Sequence, residues 1–387
     1  MEHQESAAAA EAKVFLPVYH HLPLEIERGE GVYVYAEDGR RYLDLYGGHA
    51  VAILGYGHPQ LVRTLDEQAR SLFFQSNAVP LRVRATAGRK LIGMAPPGLD
   101  RVFLVNSGAE ANENALRLAF RLHPERRRVV AVEGAFHGRT AGAAAITANS
   151  SRWYAFPQKP FEVTYVPRGD FEALRRELKE DVAAMILEPV QGQAGAFALG
   201  KEYLEAAREA TADCGAVYIF DEVQCGMGRM GAPLAATFYG VTPDMVTLGK
   251  GIAGGFPAAA LLTKPEMAPG IGIGDLGTTF GGGPLACALI ATVADTLRIE
   301  GICDNVKEVS AYIRETCLVG PVKAIQGEGL LLGLRTGQPA KELLHALLER
   351  GILTGSAGDP HIVRLLPPLT LQKEHVDQLA AALKEIG

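Results

Sequence analysis

From about residue 60 to residue 250 the chain alternates helical stretches with short apolar runs, and this alternation most limits its fold. "PQLVRTLDEQARSL" has the apolar spacing of an amphipathic helix, and "RVFLVNSGAEANENALRLAF" reads as strand, tight loop and helix. "RRVVAVEGAFHGRT", "FEVTYVP", "VAAMILEPV", "AVYIFDEV" and "DMVTLGK" each supply a further strand, most of them ending in polar or glycine-containing loops. Strands separated by helices pair in parallel, with helices covering both faces of the sheet. In such a sheet, ligands collect where the strands end.

The flanking parts read differently. Residues 1–13 form a disordered or loosely helical tail. "GVYVYAEDGRRYLDLYGG" alternates apolar and polar residues around an Asp-Gly pair, which predicts a hairpin. Amphipathic helices and a few strands follow residue 286. The expected division is an N-terminal segment, 14–60, joining a small α+β domain at 286–387, with a large α/β domain at 61–285. A chain of 387 residues suits two domains. The formal net charge of -6, with the signs interspersed, argues against nucleic acid or an anionic membrane as the main partner. The five cysteines are scattered, with no CxxC pair, so neither a zinc site nor a disulfide framework is indicated and a reducing cytoplasm is expected. No apolar run has the length of a membrane span.

The chemistry gathers around "VTLGKGIAGGFP", where Lys250 stands among glycines directly after an apolar run. A phosphate-cradling P-loop needs glycine where this chain has Asp244, and Ser or Thr where it has Gly251. A covalent or catalytic amine and a plain turn lysine remain. Other strand ends decide between them. "VNSGAEAN" places Ser107, Gly108 and Ala109 at the start of a helix, where bare amides suit a phosphate, although such a turn is also an ordinary N-cap. "YIFDEVQCGMG" ends a strand with Asp221 and Glu222, and "LEPVQGQ" ends another with Glu188. Acids in such places are costly unless paired or hydrogen-bonded. An amine, an acid for a ring nitrogen and a phosphate cup are together the parts of a pyridoxal phosphate site.

The chain resembles the class III (ω-amino) pyridoxal phosphate aminotransferases of fold type I, on "NSGAEANE", "FHGRT", "EPVQG", "DEVQCGMGR", "LGKGIAGGFP" and "TTFGGGPLAC". The resemblance implies a large domain with a mostly parallel seven-stranded sheet and pyridoxal 5'-phosphate as the cofactor. It implies that Lys250 is the Schiff-base lysine and that Asp221 pairs the ring nitrogen. Ser107, Gly108 and Ala109 would hold the phosphate. Phe136 and Val223 would cover the two ring faces, Gln224 would reach the ring hydroxyl, and Glu188 would complete the cofactor's surroundings. Thr279, with Thr278 beside it, would reach the phosphate of a neighbouring subunit, so a homodimer is implied. Arg139 and Arg364 would each grip a substrate carboxylate. The implied reaction moves the terminal amine of N-acetylornithine to 2-oxoglutarate. Ornithine, succinylornithine, 4-aminobutyrate and carrier-linked lysine derivatives are alternative donors, and a silent cofactor-binding regulator is the alternative of another class. Two stretches depart from the family pattern: Gln193 replaces a glutamate expected to pair with Arg364, and Leu276–Gly283 departs from a His-initiated, Asn-terminated loop.

Overall fold

The computed structural model describes residues 6–269 and 271–387. Its centre is a seven-stranded sheet. From one edge to the other the strands are Arg101–Val105, Ala259–Thr263, Met245–Leu248, Val217–Asp221, Val182–Leu187, Arg128–Val132 and Glu162–Val166. All run in one direction except Ala259–Thr263, which is antiparallel to both neighbours. The mostly parallel sheet is the one expected from the alternation. The reversed strand lies outside that expectation, because "AALLT" is too short and uniformly apolar to declare a direction. It returns directly from the turn that carries Lys250. Val182–Leu187 and Val217–Asp221 are buried at every position, which is why they read as unbroken apolar runs.

The two ends of the chain meet beside this sheet. Ile26–Glu30, Tyr33–Ala36 and Arg41–Asp44 form an antiparallel meander, with Gly39 taking a positive φ of 80° at the hairpin turn. Ile352–Leu353 joins it in parallel beside Arg41–Asp44. A second antiparallel sheet contains Val322–Glu328, Leu331–Thr336, Ile362–Leu365 and Gly355–Ser356. Backbone bonds from Leu366 N to Leu45 O and from Leu369 N to Ile53 O, both 2.7 Å, tie these regions together. They bring Tyr46 and Arg364 to the same side of the molecule as Lys250.

The tail expected at 1–13 lies partly outside the described residues; of the rest, Ala7–Val14 is a helix with no buried residue. The helix Pro59–Ser71 is amphipathic and has no fully buried residue, although Leu61 packs against the core. Among the described residues no helix is long and apolar enough to cross a membrane.

Candidate active site

Except for the Thr278–Thr279 loop and Arg364, each chemical motif sits where a strand of the large sheet ends. Lys250 follows Met245–Leu248 by one residue, Gly249, and adopts a left-handed φ of 48°. A Cβ on Gly249 would lie 3.2 Å from Val223 Cγ1 and 3.4 Å from the Gly108 backbone, so a bare residue is what lets three loops converge. Burial lowers the pKa of the Lys250 amine, the nearby Asp221 and Glu188 act to raise it, and Arg364 adds to the lowering. The amine is therefore more readily deprotonated than a surface lysine.

Asp221 ends its strand in full burial and is held by three partners. Asn112 Nδ2 donates to Oδ2 at 2.7 Å, Val223 N donates to Oδ1 at 3.0 Å, and His137 Nδ1 lies 2.7 Å from Oδ2. Asn112 is fixed in turn by Thr247 Oγ1, which donates to its Oδ1 at 2.6 Å. Sequence reasoning gives no role to His137, Asn112 or Thr247. His137 stands inside "FHGRT", and Asn112 lies about one helical turn beyond Ala109. Only the fold aims them at Asp221.

Ser107 caps the helix Gly108–Leu122, its Oγ accepting from Glu110 N at 3.2 Å. The Gly108 and Ala109 amides belong to the first turn and have no partner within the helix. A Cβ on Gly108 would stand 2.7 Å from Val223 Cγ1. The Gln224 side chain lies directly over Gly192, where a Cβ would displace its Oε1, and that buried Oε1 has no hydrogen-bond partner among the described residues. Phe136 N donates to Glu188 Oε1 at 2.9 Å. Burial raises the Glu188 carboxyl well above the usual carboxylate range, against the opposing influence of His137.

Arg364 is only 2% exposed. Its Nε donates to Ser356 O and its Nη1 to Gly192 O at 3.3 Å, and the guanidinium lies 5.9 Å from the Tyr46 ring centroid. Among the described residues no carboxylate pairs with it. Gln193 is exposed and engages through its backbone oxygen, which accepts from Gly358 N. Arg139 is exposed and stacks 4.6 Å over Trp153. Thr278 Oγ1 accepts from Asn106 Nδ2 at 3.1 Å within its own chain, while Thr279 is exposed. The structure thus gathers Lys250, Asp221, Glu188, Val223, Gln224, Ser107, Gly108 and Arg364; it leaves Arg139 and Thr279 outside that network.

The residues present fit the expected cofactor. A buried, multiply held acid, helix amides without partners, an orphaned Gln224 oxygen and a lowered-pKa amine each match one of its functional groups.

The Aminotransferase class-III family model matches residues 15–386. An acetylornithine aminotransferase of Methanocaldococcus jannaschii is 38% identical over 99% of this chain and 98% of its own length. An ornithine aminotransferase from Toxoplasma gondii ME49 superposes with a TM-score of 0.91 at 28% identity, covering 98% of this chain and 93% of that one. An acetylornithine aminotransferase from Elizabethkingia anophelis gives 0.86 at 30% identity, with 97% of each chain covered.

Proposed function

Since the chain belongs to the class-III aminotransferases, we propose that it moves the terminal amino group of N2-acetylornithine, or a near relative, to 2-oxoglutarate. Arg364 is the observation that carries this reading. A buried guanidinium is costly unless a charge partner offsets its desolvation. Its hydrogen-bond partners among the described residues are backbone carbonyls, on the same side of the site as the Lys250 amine. That arrangement suits a carboxylate arriving with the substrate, as 2-oxoglutarate and glutamate would supply. Arg139, resting on Trp153, is suited to take the carboxylate far from the reacting carbon.

Pyridoxal phosphate, when bound, supplies an electron-poor ring that accepts the electrons released at the amine-bearing carbon. Asp221 would face its ring nitrogen, Val223 and Phe136 its two faces, and Ser107, Gly108 and Ala109 its phosphate. Lys250 would hold the cofactor and carry the proton on Nζ between the two carbons that exchange it. The lowered pKa of that amine favours its work as a base.

A homodimer belongs to the same reading. Val62, Leu65, Phe73, Phe74 and Phe280 leave apolar side chains exposed, and Phe74 and Phe280, the latter next to Thr279, lie 5.5 Å apart. A cytoplasmic location fits the scattered cysteines.

The test is a donor panel with 2-oxoglutarate as acceptor, following glutamate formed. An N-acylated ornithine is expected to lead. A panel led by 4-aminobutyrate or by free ornithine would reassign the donor.

A further inference from the structure

The loop that carries Phe136 and His137 leaves the strand Arg128–Val132 through a left-handed turn at Gly134, with φ of 77°. The clasp on this turn is Arg168, which follows the edge strand Glu162–Val166. Its Nε donates to Glu133 O at 2.9 Å, and the same oxygen accepts from buried Gln191 Nε2 at 3.0 Å. The guanidinium rests on the Gly134 backbone, where a Cβ would fall 1.7 Å from Nη2 and 2.7 Å from Cζ. A side chain at 134 would displace it. The Phe197 ring lies against the same guanidinium, its centroid 4.9 Å from Cζ.

Phe197 faces Gln191 across a short hairpin, Val190–Gln191 against Phe197–Ala198. This hairpin starts just after Glu188, and Glu188 Oε1 accepts from Phe136 N at 2.9 Å. Next to Gln191, Gly192 O accepts from Arg364 Nη1. Two loops of the site are thus joined twice, at Glu133 through Arg168 and Gln191, and at Phe136 through Glu188. Charge pairing is not what holds Arg168 here. Among the described residues no carboxylate forms an ion pair with it. Burial lowers its pKa, and Glu133, Glu188 and Asp359 act to raise it from beyond pairing distance. What the position uses is a planar donor fork whose face packs on glycine and on an aromatic ring.

We infer that Arg168 is a positioning residue for Phe136: by pinning Glu133 O and covering Gly134, it holds the Phe136 ring in place for the cofactor. The inference rests on the reading of Phe136 as the cover of one ring face. Gly134 carries no side chain, so without the guanidinium its turn is free to adopt other backbone angles. Glu133 O then keeps one partner of two. The single bond from Phe136 N to Glu188 does not fix the direction of the ring, and its contact with the cofactor loosens. Arg168 acts through Phe136 and does no chemistry itself.

A double-mutant cycle on cofactor affinity tests this. Dissociation constants for pyridoxal phosphate are measured by absorbance titration for wild type, Arg168→Met, Phe136→Ala and the double variant. Visible circular dichroism of the bound cofactor is recorded on each, since it reports the asymmetry of the groups around the ring. Arg168→Met should raise the constant by about three- to tenfold, the worth of one hydrogen bond, and weaken the dichroism. In the Phe136→Ala background the same substitution should change the constant by less than about twofold, because the contact that Arg168 serves is already lost. Arg168→Lys keeps the charge and stem but not the fork, so it covers for misfolding of Arg168→Met and should also raise the constant. Equal rises in both backgrounds would mean that Arg168 acts on the fold and not through Phe136. Unchanged constants in both Arg168 variants remove its role outright. A Phe136→Ala constant equal to wild type instead strikes the ring-face reading on which the inference rests.

Discussion

Lys250 and Glu222 are both buried ionisable groups near the same strand ends, and they answer for different properties. Lys250 lies within the electrostatic reach of Asp221, Glu188 and Arg364, so its substitution acts on chemistry. Lys250→Ala should fold and lose the proton carrier, a contribution of about 10²–10⁴-fold by itself, together with the covalent anchor. Single-turnover glutamate formation checks this, and a near-normal rate would remove Lys250 from its role. Glu222 answers for stability. Its two oxygens accept from Ala235 N and Ala236 N (2.8 Å for the latter), capping the helix Ala235–Tyr239. Burial pushes its pKa from 4.5 up to about 7. A raised acid pKa means that the folded state holds its proton longer than the unfolded chain. The stabilisation is therefore complete below pH 4.5 and fades as pH climbs through about 7. The full span corresponds to about 3 kcal/mol as an upper bound. Unfolding curves of wild type and Glu222→Gln across this range should show the wild type losing ground as pH rises. A constant gap would mean that the carboxyl titrates in its usual range.

The helix Gly108–Leu122 and the turn at Lys250 depend on close backbone approach. In Gly108→Ala the new methyl would meet Val223 at 2.7–2.8 Å, and one of the two loops has to move. Overpacking of this kind costs about 1–3 kcal/mol, so the dissociation constant for pyridoxal phosphate should rise roughly tenfold or more. Cofactor titration by absorbance measures it; unaltered affinity would place the phosphate elsewhere. These elements also mark how far the sequence can be read. Strand ends carry their motifs in contiguous residues, so Ser107, Asp221 and Lys250 are identifiable by position alone. The reversed strand Ala259–Thr263 is not, because an apolar run carries no sign of direction. Asn112 and His137 escape notice as partners of Asp221, since their convergence depends on how a helix and a loop dock. The left-handed turn at 47–50 is equally hidden: glycines permit it, but the bonds that Asp44 accepts from Tyr46 N and Gly47 N, with Leu366 O close by, enforce it. Gln193 is legible as a departure from the family pattern, yet only the fold reveals that its side chain does not bond to Arg364.

At the scale of the whole molecule, exposed side chains matter more than buried ones. Val62 is 56% exposed, Phe73 68% and Phe280 66%, with Phe280 against Phe74 at 5.5 Å, apolar side chains that a solitary subunit would leave in water. Thr279 is exposed beside Phe280, while its neighbour Thr278 accepts from Asn106 Nδ2 of its own chain at 3.1 Å. If two copies associate through this face, Thr279 can serve the partner's cup, and each site draws on both subunits. Thr279→Asp would then set a negative charge against the cofactor phosphate and should abolish activity in the pure variant, as Lys250→Ala does. Mixing the two inactive proteins and letting subunits exchange gives a result that neither predicts alone. In a mixed dimer, one site combines intact Lys250 with the intact Thr279 of the other chain, while the second site carries both defects. Random pairing makes half the dimers mixed, with one working site in each, so activity should return to about a quarter of wild type. If each subunit instead used its own Thr279, every site would keep one defect and nothing would return. Full activity in pure Thr279→Asp would likewise exclude the residue from any cup. Native mass spectrometry of the mixture, which resolves the mixed dimer from both homodimers, confirms that exchange took place, so mixed dimers without activity would rule out the shared site.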